Sequence, residues 1–175
     1  MSNCTEFTTV IRKAKKEDMI EVYELIKELA EFEKLEDQVK IDNTVLQRDG
    51  FDTDHPAFRC LVAEVSDGHI VGYALYFPTY STWEGKALLL EDLYVRSAYR
   101  RRGIGKQLFM AVAKIAHESE ISRLDFHVLS WNPAIAFYKG LGAVDLTVKE
   151  DWHFFRLDQA CLKKLFFLKN PLNAK

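Results

Sequence analysis

Between Leu90 and Gly105 the chain reads Leu-Glu-Asp-Leu-Tyr-Val-Arg-Ser-Ala-Tyr-Arg-Arg-Arg-Gly-Ile-Gly. An apolar strand with two adjacent carboxylates, Glu91 and Asp92, runs into a turn holding three arginines. Arg100-x-x-Gly103-x-Gly105 then opens a helix whose apolar residues, Ile104, Leu108, Val112 and Ile115, recur on one face. Strand, basic glycine turn and helix N-terminus make a cradle for an anion. Glycines let a ligand approach the backbone, and the first amides of a helix have no partner within it. A ligand carrying a diphosphate fits such a cradle.

Two familiar phosphate loops are excluded by spacing. A Walker loop needs glycine where Arg100 stands and Ser or Thr where Gln107 follows Gly105-Lys106. A dinucleotide fingerprint needs a third glycine, and Leu108 occupies that place. With 175 residues, 48% hydrophobic and 13% aromatic, the chain predicts one well-packed domain. A formal charge of −2 argues against a nucleic-acid binder. Cys4, Cys60 and Cys161 are far apart and odd in number, a reduced intracellular pattern, and neither they nor the histidines show metal-ligand spacing. No apolar run is long enough for a membrane span and no leader is recognisable, so a cytoplasmic protein without membrane or metal is expected.

Periodicity and punctuation predict an order of β-α-α-β-β-β-α-β-α-β-β. A strand at 8–13 precedes a helix carrying Met19, Val22, Tyr23, Ile26, Leu29 and Ala30, and Asp42 caps a short helix ending at Gly50. Strands follow at 58–65 and 69–77, with Pro78 ending the second, and at 87–95. After the glycine-loop helix come a strand at 123–129 and a helix begun by Asn132-Pro133 and closed by Gly142. A final hairpin, 144–146 with 153–157, and a terminal helix at 158–168 complete the reading.

The basic glycine turn resembles the acetyl-CoA pyrophosphate loop of the GNAT N-acetyltransferases. Further motifs stand in order: Glu28–Lys34, Asp37–Lys40, Tyr80–Trp83, Leu90–Asp92, Phe137–Lys139, Leu141–Ala143 and Trp152–Phe155. Together, over roughly residues 8–165, they resemble the diamine (spermidine/spermine) acetyltransferase family, and within it the thialysine-acetylating branch. The resemblance implies an α/β acetyltransferase (GNAT) fold: a single domain, 1–175, whose mixed central sheet has splayed strands flanked by helices. It also implies acetyl-CoA as co-substrate, a small cationic amine as acceptor, direct transfer in a ternary complex, and a homodimer. A protein lysine acetyltransferase and a non-catalytic acyl-CoA-binding module remain open alternatives.

Amine acetylation needs a neutral amine, a stabilised oxyanion and a protonated or stabilised thiolate. Glu91 is the candidate base, since a carboxylate among Leu88, Leu89, Leu90, Leu93 and Val95 is costly without a partner or a task. Strict alternation would send Glu91 and Asp92 to opposite faces. Tyr138 is the candidate acid, its phenol titrating ordinarily near pH ~10. The resemblance implies that Leu93, Tyr94 and Val95 hold the acetyl and pantetheine groups. It implies that Arg100, Arg101, Arg102, Gly103, Ile104, Gly105 and Lys106 hold the pyrophosphate, and that Asn132, Pro133, Ala134 and Ile135 add cofactor contacts. Phe32, Glu33, Glu91 and Glu150 match the family's amine contacts, with Asp125, Phe126 and His127 on an adjoining strand. The Asn132–Tyr138 spacing is one residue shorter than the family's.

Overall fold

The computed structural model describes residues 8–169, so the expectations resting on Cys4 and the chain ends lie outside the described residues. Contacts divide the chain into two compact units, one running to His127 and one from Val128. The first unit holds a five-stranded sheet in the order β1 (Thr9–Lys13), β2 (Arg59–Val65), β3 (Ile70–Ser81), β4 (Gly85–Val95), β5 (Arg123–Phe126). Neighbouring pairs are antiparallel except β4 and β5, which are parallel. The connection from β4 to β5 runs through α3 (Ile104–Glu118). α1 (Met19–Glu33) and α2 (Asn43–Phe51) lie between β1 and β2 in the chain.

Each face of the sheet buries a different set of side chains. Cys60, Val62, Tyr73, Leu75 and Tyr94 join Met19, Val22 and Leu25 of α1 and Leu46 of α2 in one core. The opposite face meets α3, of which Ile104, Leu108, Phe109 and Val112 are buried. Gly72 belongs to that second face. A Cβ there would stand 2.8 Å from the Tyr94 carbonyl oxygen and 3.3 Å from Leu108, so close packing of β3, β4 and α3 requires glycine. An ion-paired set, Arg12 with Asp18 at 2.6 Å and with Glu64, ties β1 and β2 to the entry of α1.

The strict alternation expected of β4 is broken at Glu91. Tyr76 pairs with Leu90 and Leu75 with Asp92, so Glu91 is an extra, unpaired residue, a β-bulge. Without it, Leu93 and Val95 would turn away from the α3 face that Leu88 and Leu90 occupy. Burying an aliphatic side chain is worth about 1.5–3 kcal/mol, against about 0.5–1.5 kcal/mol for one ladder hydrogen bond. Keeping Leu88, Leu90 and Val95 on the α3 face therefore outweighs the lost pairing. Asp92 is carried instead onto the α1 face.

Other boundaries also move. β3 continues through Pro78 to Ser81, because β2 ends opposite Tyr76 and leaves an open edge where proline is tolerated. β5 stops at Phe126, short of 129.

The second unit contains α4 (Ala134–Gly140), α5 (Leu146–Glu150) and α6 (Gln159–Lys169). The Ala134 amide donates to Asn132 Oδ1 at 2.9 Å, the expected cap of α4. Gly142, with φ of 92°, follows that helix, and the Ala143 amide donates to the Tyr138 carbonyl. The expected final hairpin is absent. Asp145 accepts from the Val148 amide and starts a helical turn where a strand was expected, and residues 151–158 form no ladder among the described residues.

Candidate active site

The site begins where the sheet comes apart. β4 and β5 pair only from Ala87 with Arg123 to Leu90 with Phe126, while β4 continues to Val95. The Arg96 amide donates to the Val71 carbonyl at 2.8 Å. By the alternation of an antiparallel ladder, Tyr94 therefore bonds towards β3, and Leu93 and Val95 turn their amides to the opposite edge. Along that edge β5 has already ended.

The turn after β4 is held by α1. The Arg96 guanidinium donates to Glu28 at 2.9 Å, and the Tyr94 hydroxyl donates to the same carboxylate at 3.3 Å. Arg100 Nε donates to the Val95 carbonyl at 2.8 Å, and its guanidinium lies 5.3 Å from the Phe32 ring centre and 5.1 Å from that of Tyr94. Arg100 thus braces the turn, while Arg101 is exposed and the exposed Arg102 guanidinium lies 6.0 Å from the Tyr99 ring centre. Gly103 has φ of 81°, which favours glycine. The first internal bond of α3 runs from the Gln107 amide to the Gly103 carbonyl. The amides of Ile104, Gly105 and Lys106 are left at the helix end for an anion.

Acidic groups meet at the bulge. Asp92 is pushed up to about 6 by burial, against which the hydrogen bond from Tyr73 works, with Glu91 and Glu33 adding like-charge repulsion. Burial also raises Glu33, the last residue of α1. Two residues expected at the amine site, Glu33 and Glu91, are thus close enough to act on a common neighbour. That neighbour, Asp92, was not singled out from the sequence as a site residue. The Glu-Asp doublet was visible there, but the bulge that turns Asp92 towards α1 was not.

Asp125 accepts from Arg123 at 2.9 Å, and Arg123 also pairs with Glu84. Phe126 packs edge-on against Phe109 at 5.7 Å, and His127 is exposed after β5. On the outer side of α1 an open groove of about 540 Å³ is lined by Tyr23, Glu24, Lys27, Glu28, Glu31 and Glu36 among others.

In the second unit, Glu150 ends α5 and accepts from the Trp152 indole at 2.9 Å. Asn132 commits its side-chain oxygen to the cap of α4, which also carries Ala134, Ile135 and Tyr138. Burial pushes the Tyr138 phenol up to about 12, so its proton is present at every working pH. Handing it fully to a thiolate is uphill against an ordinary thiol pKa of ~8.5, and donation of a hydrogen bond is the easier service. Among the described residues no helix is long and apolar enough to cross a membrane, and no three His, Cys, Asp or Glu are grouped to hold a metal ion.

Comparison with known proteins finds a matching family, similar relatives and a similar solved fold. The model of the acetyltransferase (GNAT) family matches residues 18–143. A thialysine N-epsilon-acetyltransferase of Bos taurus is 44% identical over 164 residues, covering 89% of this chain and 96% of the relative. A human spermidine/spermine N(1)-acetyltransferase-like protein 1 is 42% identical over 156 residues, 85% of this chain and 22% of the relative. An integron cassette protein from the mobile metagenome of V. cholerae shares the fold, with a TM-score of 0.72 at 24% identity over 92% of this chain and 99% of that one.

The raised Asp92 pKa has a consequence for stability. The folded protein binds this proton more tightly than the unfolded chain, so the contribution is stabilising below the ordinary carboxyl pKa of ~3.9 and is lost as pH rises through about 6. Asp92→Asn should therefore stabilise the protein at neutral pH by about 1–3 kcal/mol and be nearly neutral in acid. Denaturant titrations at the two pH values measure the difference; a destabilised Asn variant at neutral pH would show that Asp92 is not held against burial.

Proposed function

We propose that this chain, which belongs to the acetyltransferase (GNAT) family, transfers the acetyl group of acetyl-CoA to a primary amine of a small cationic substrate. Thialysine or a related lysine-like amino acid is the preferred acceptor, by likeness to the relative named for that activity. The observation that carries the reading is the bulge of β4, which sets Glu91 and Asp92 side by side, with the charge of Glu33 acting on Asp92, where the pairing with β5 has ended. A cation is drawn to carboxylates that raise one another's charge density, and a thioester is polarised by backbone amides that pair with no strand among the described residues. The family match runs through residues 127 and 128, so both units are read as parts of one catalytic domain.

In this reading pantetheine lies along Leu93–Val95, and the pyrophosphate sits on the amides of Ile104, Gly105 and Lys106 with Arg101 and Arg102 supplying charge. Glu91, exposed on the bulge, takes the ammonium proton. The free amine attacks the thioester carbonyl, the oxyanion rests on the β4 amides, and the departing sulfur is served by the Tyr138 hydroxyl. Phe32, Glu33 and Glu150 contact the rest of the amine, with Asp125, Phe126 and His127 alongside. Di- and polyamines form a second class of acceptor, favoured by the relative named for spermidine and spermine.

A cytoplasmic homodimer belongs to the same reading. Trp152, Phe154, Phe155, Phe166 and Phe167 are each more than half exposed, more apolar surface than a free second unit would keep. Sedimentation at micromolar concentration should give a dimer, and a monomer would contradict it.

Steady-state assays with acetyl-CoA against thialysine, lysine, diamines, spermidine and a lysine peptide test the substrate class. A lysine-like amino acid should give the highest kcat/KM; turnover of the peptide alone would move the enzyme to protein substrates, and no turnover would leave a binding module. On the best amine, Tyr138→Phe should lower kcat about 10²-fold or more with little change in acetyl-CoA affinity. Unchanged turnover, measured where chemistry limits the rate, would remove Tyr138 from the mechanism.

A further inference from the structure

Tyr73 is fully buried in the core between the sheet and α1, where a phenylalanine would pack as well. Its hydroxyl donates to Asp92 Oδ2 at 2.9 Å. A buried phenol beside a half-buried carboxylate is a poor exchange for two apolar side chains, so the pair is not explained by stability. The ring is clamped by its neighbours in the core, and the hydroxyl cannot follow Asp92 to another rotamer. Asp92 in turn stands next to the bulge residue Glu91, on the strand edge where the acyl transfer is placed.

We propose that Tyr73 is a positioning residue for amine acetylation: its hydroxyl fixes the Asp92 carboxylate behind Glu91, so that the two acids act together as the acceptor of the ammonium proton. The inference rests on the amine-acetylation reading above. One N–H bond of the ammonium breaks and one O–H bond forms on the carboxylate pair. The freed lone pair attacks the thioester carbon, the C–S bond breaks, the nitrogen gives its second proton to solvent, and the departing thiolate takes one proton from solvent. The pair then returns its own proton to solvent, so each turnover releases one proton and leaves both acids ionised.

The surroundings of Asp92 set the direction of the test. Glu91 on β4 and Glu33 at the end of α1 repel its charge, while Tyr73 on β3 favours it. Cys60 on β2 is neutral, its thiol held well up by burial, with Asp18 at the start of α1 acting on it as well. Tyr94, two residues along β4, is engaged with Glu28 and Arg100. Removing the Tyr73 hydroxyl deletes a favourable neighbour, so Asp92 should keep its proton to higher pH.

Tyr73→Phe keeps the ring and removes only the donor. In the free protein, the Asp92 carboxyl followed by ¹³C NMR should titrate about one pH unit higher than in wild type. On the best amine, the acid limb of kcat/KM should move up with it, a loss of about tenfold on that limb and little at high pH. In the Asp92→Asn background the same substitution should have no further effect. An unmoved carboxyl titration, an unmoved acid limb, or a loss equal at all pH values would each overturn the proposal. Should Tyr73→Phe fail to fold, Asp92→Asn decides it: disappearance or displacement of the acid limb supports the pair, and a wild-type limb overturns it. The carboxyl titration needs no substrate, so failure of the amine reading shows in the turnover panel alone.

Discussion

The one-residue slip in β4 at Glu91 sets the position of everything around it. It arises because Leu88 and Leu90 on one side of the slip, and Leu93 and Val95 on the other, must share the face covered by α3. Strict alternation cannot satisfy both groups. The slip therefore leaves one residue unpaired, and that residue is an acid. It also rotates Asp92 onto the α1 side of the sheet, within reach of Tyr73 and the charge of Glu33. Just there the pairing with β5 ends, and two backbone amides lose their neighbour. A packing requirement thus places carboxylates and unpaired amides on the same few residues of one strand.

The turn that follows is rigid for a related reason. Glu28 accepts from both Arg96 and Tyr94, and Arg100 lies between two aromatic rings while holding the Val95 carbonyl. These bonds fix the helix end of α3 relative to the strand edge. The three arginines that drew attention in the sequence divide their labour accordingly. Arg100 holds the strand end and Arg102 lies over the Tyr99 ring, while all three remain exposed enough to meet an anion.

Much of this was legible in the sequence where a local rule governs. The glycine turn, the apolar stripe of α3, the Asp42 and Asn132 caps and the order of elements through α4 follow from spacing and capping chemistry. What was not legible depends on partners distant in the chain. The bulge reflects competition between two faces of a sheet, which a strand's own residues do not reveal. The end of β5 and the passage of β3 through Pro78 depend on where neighbouring strands stop. The expected hairpin after Val144 yields to a single side-chain cap from Asp145. Asp92 was missed as a site residue for the same reason as the bulge, since its environment is built by α1 and β3.

The central claim is that the unpaired edge of β4 and the start of α3 receive the acyl carrier. Backbone hydrogen exchange with and without CoA tests it residue by residue. The account predicts that the amides of Leu93, Val95, Ile104, Gly105 and Lys106 slow on binding, while that of Tyr94, already bonded within the sheet, does not change. Saturable CoA binding that leaves Leu93 and Val95 exchanging as in the free protein would contradict it.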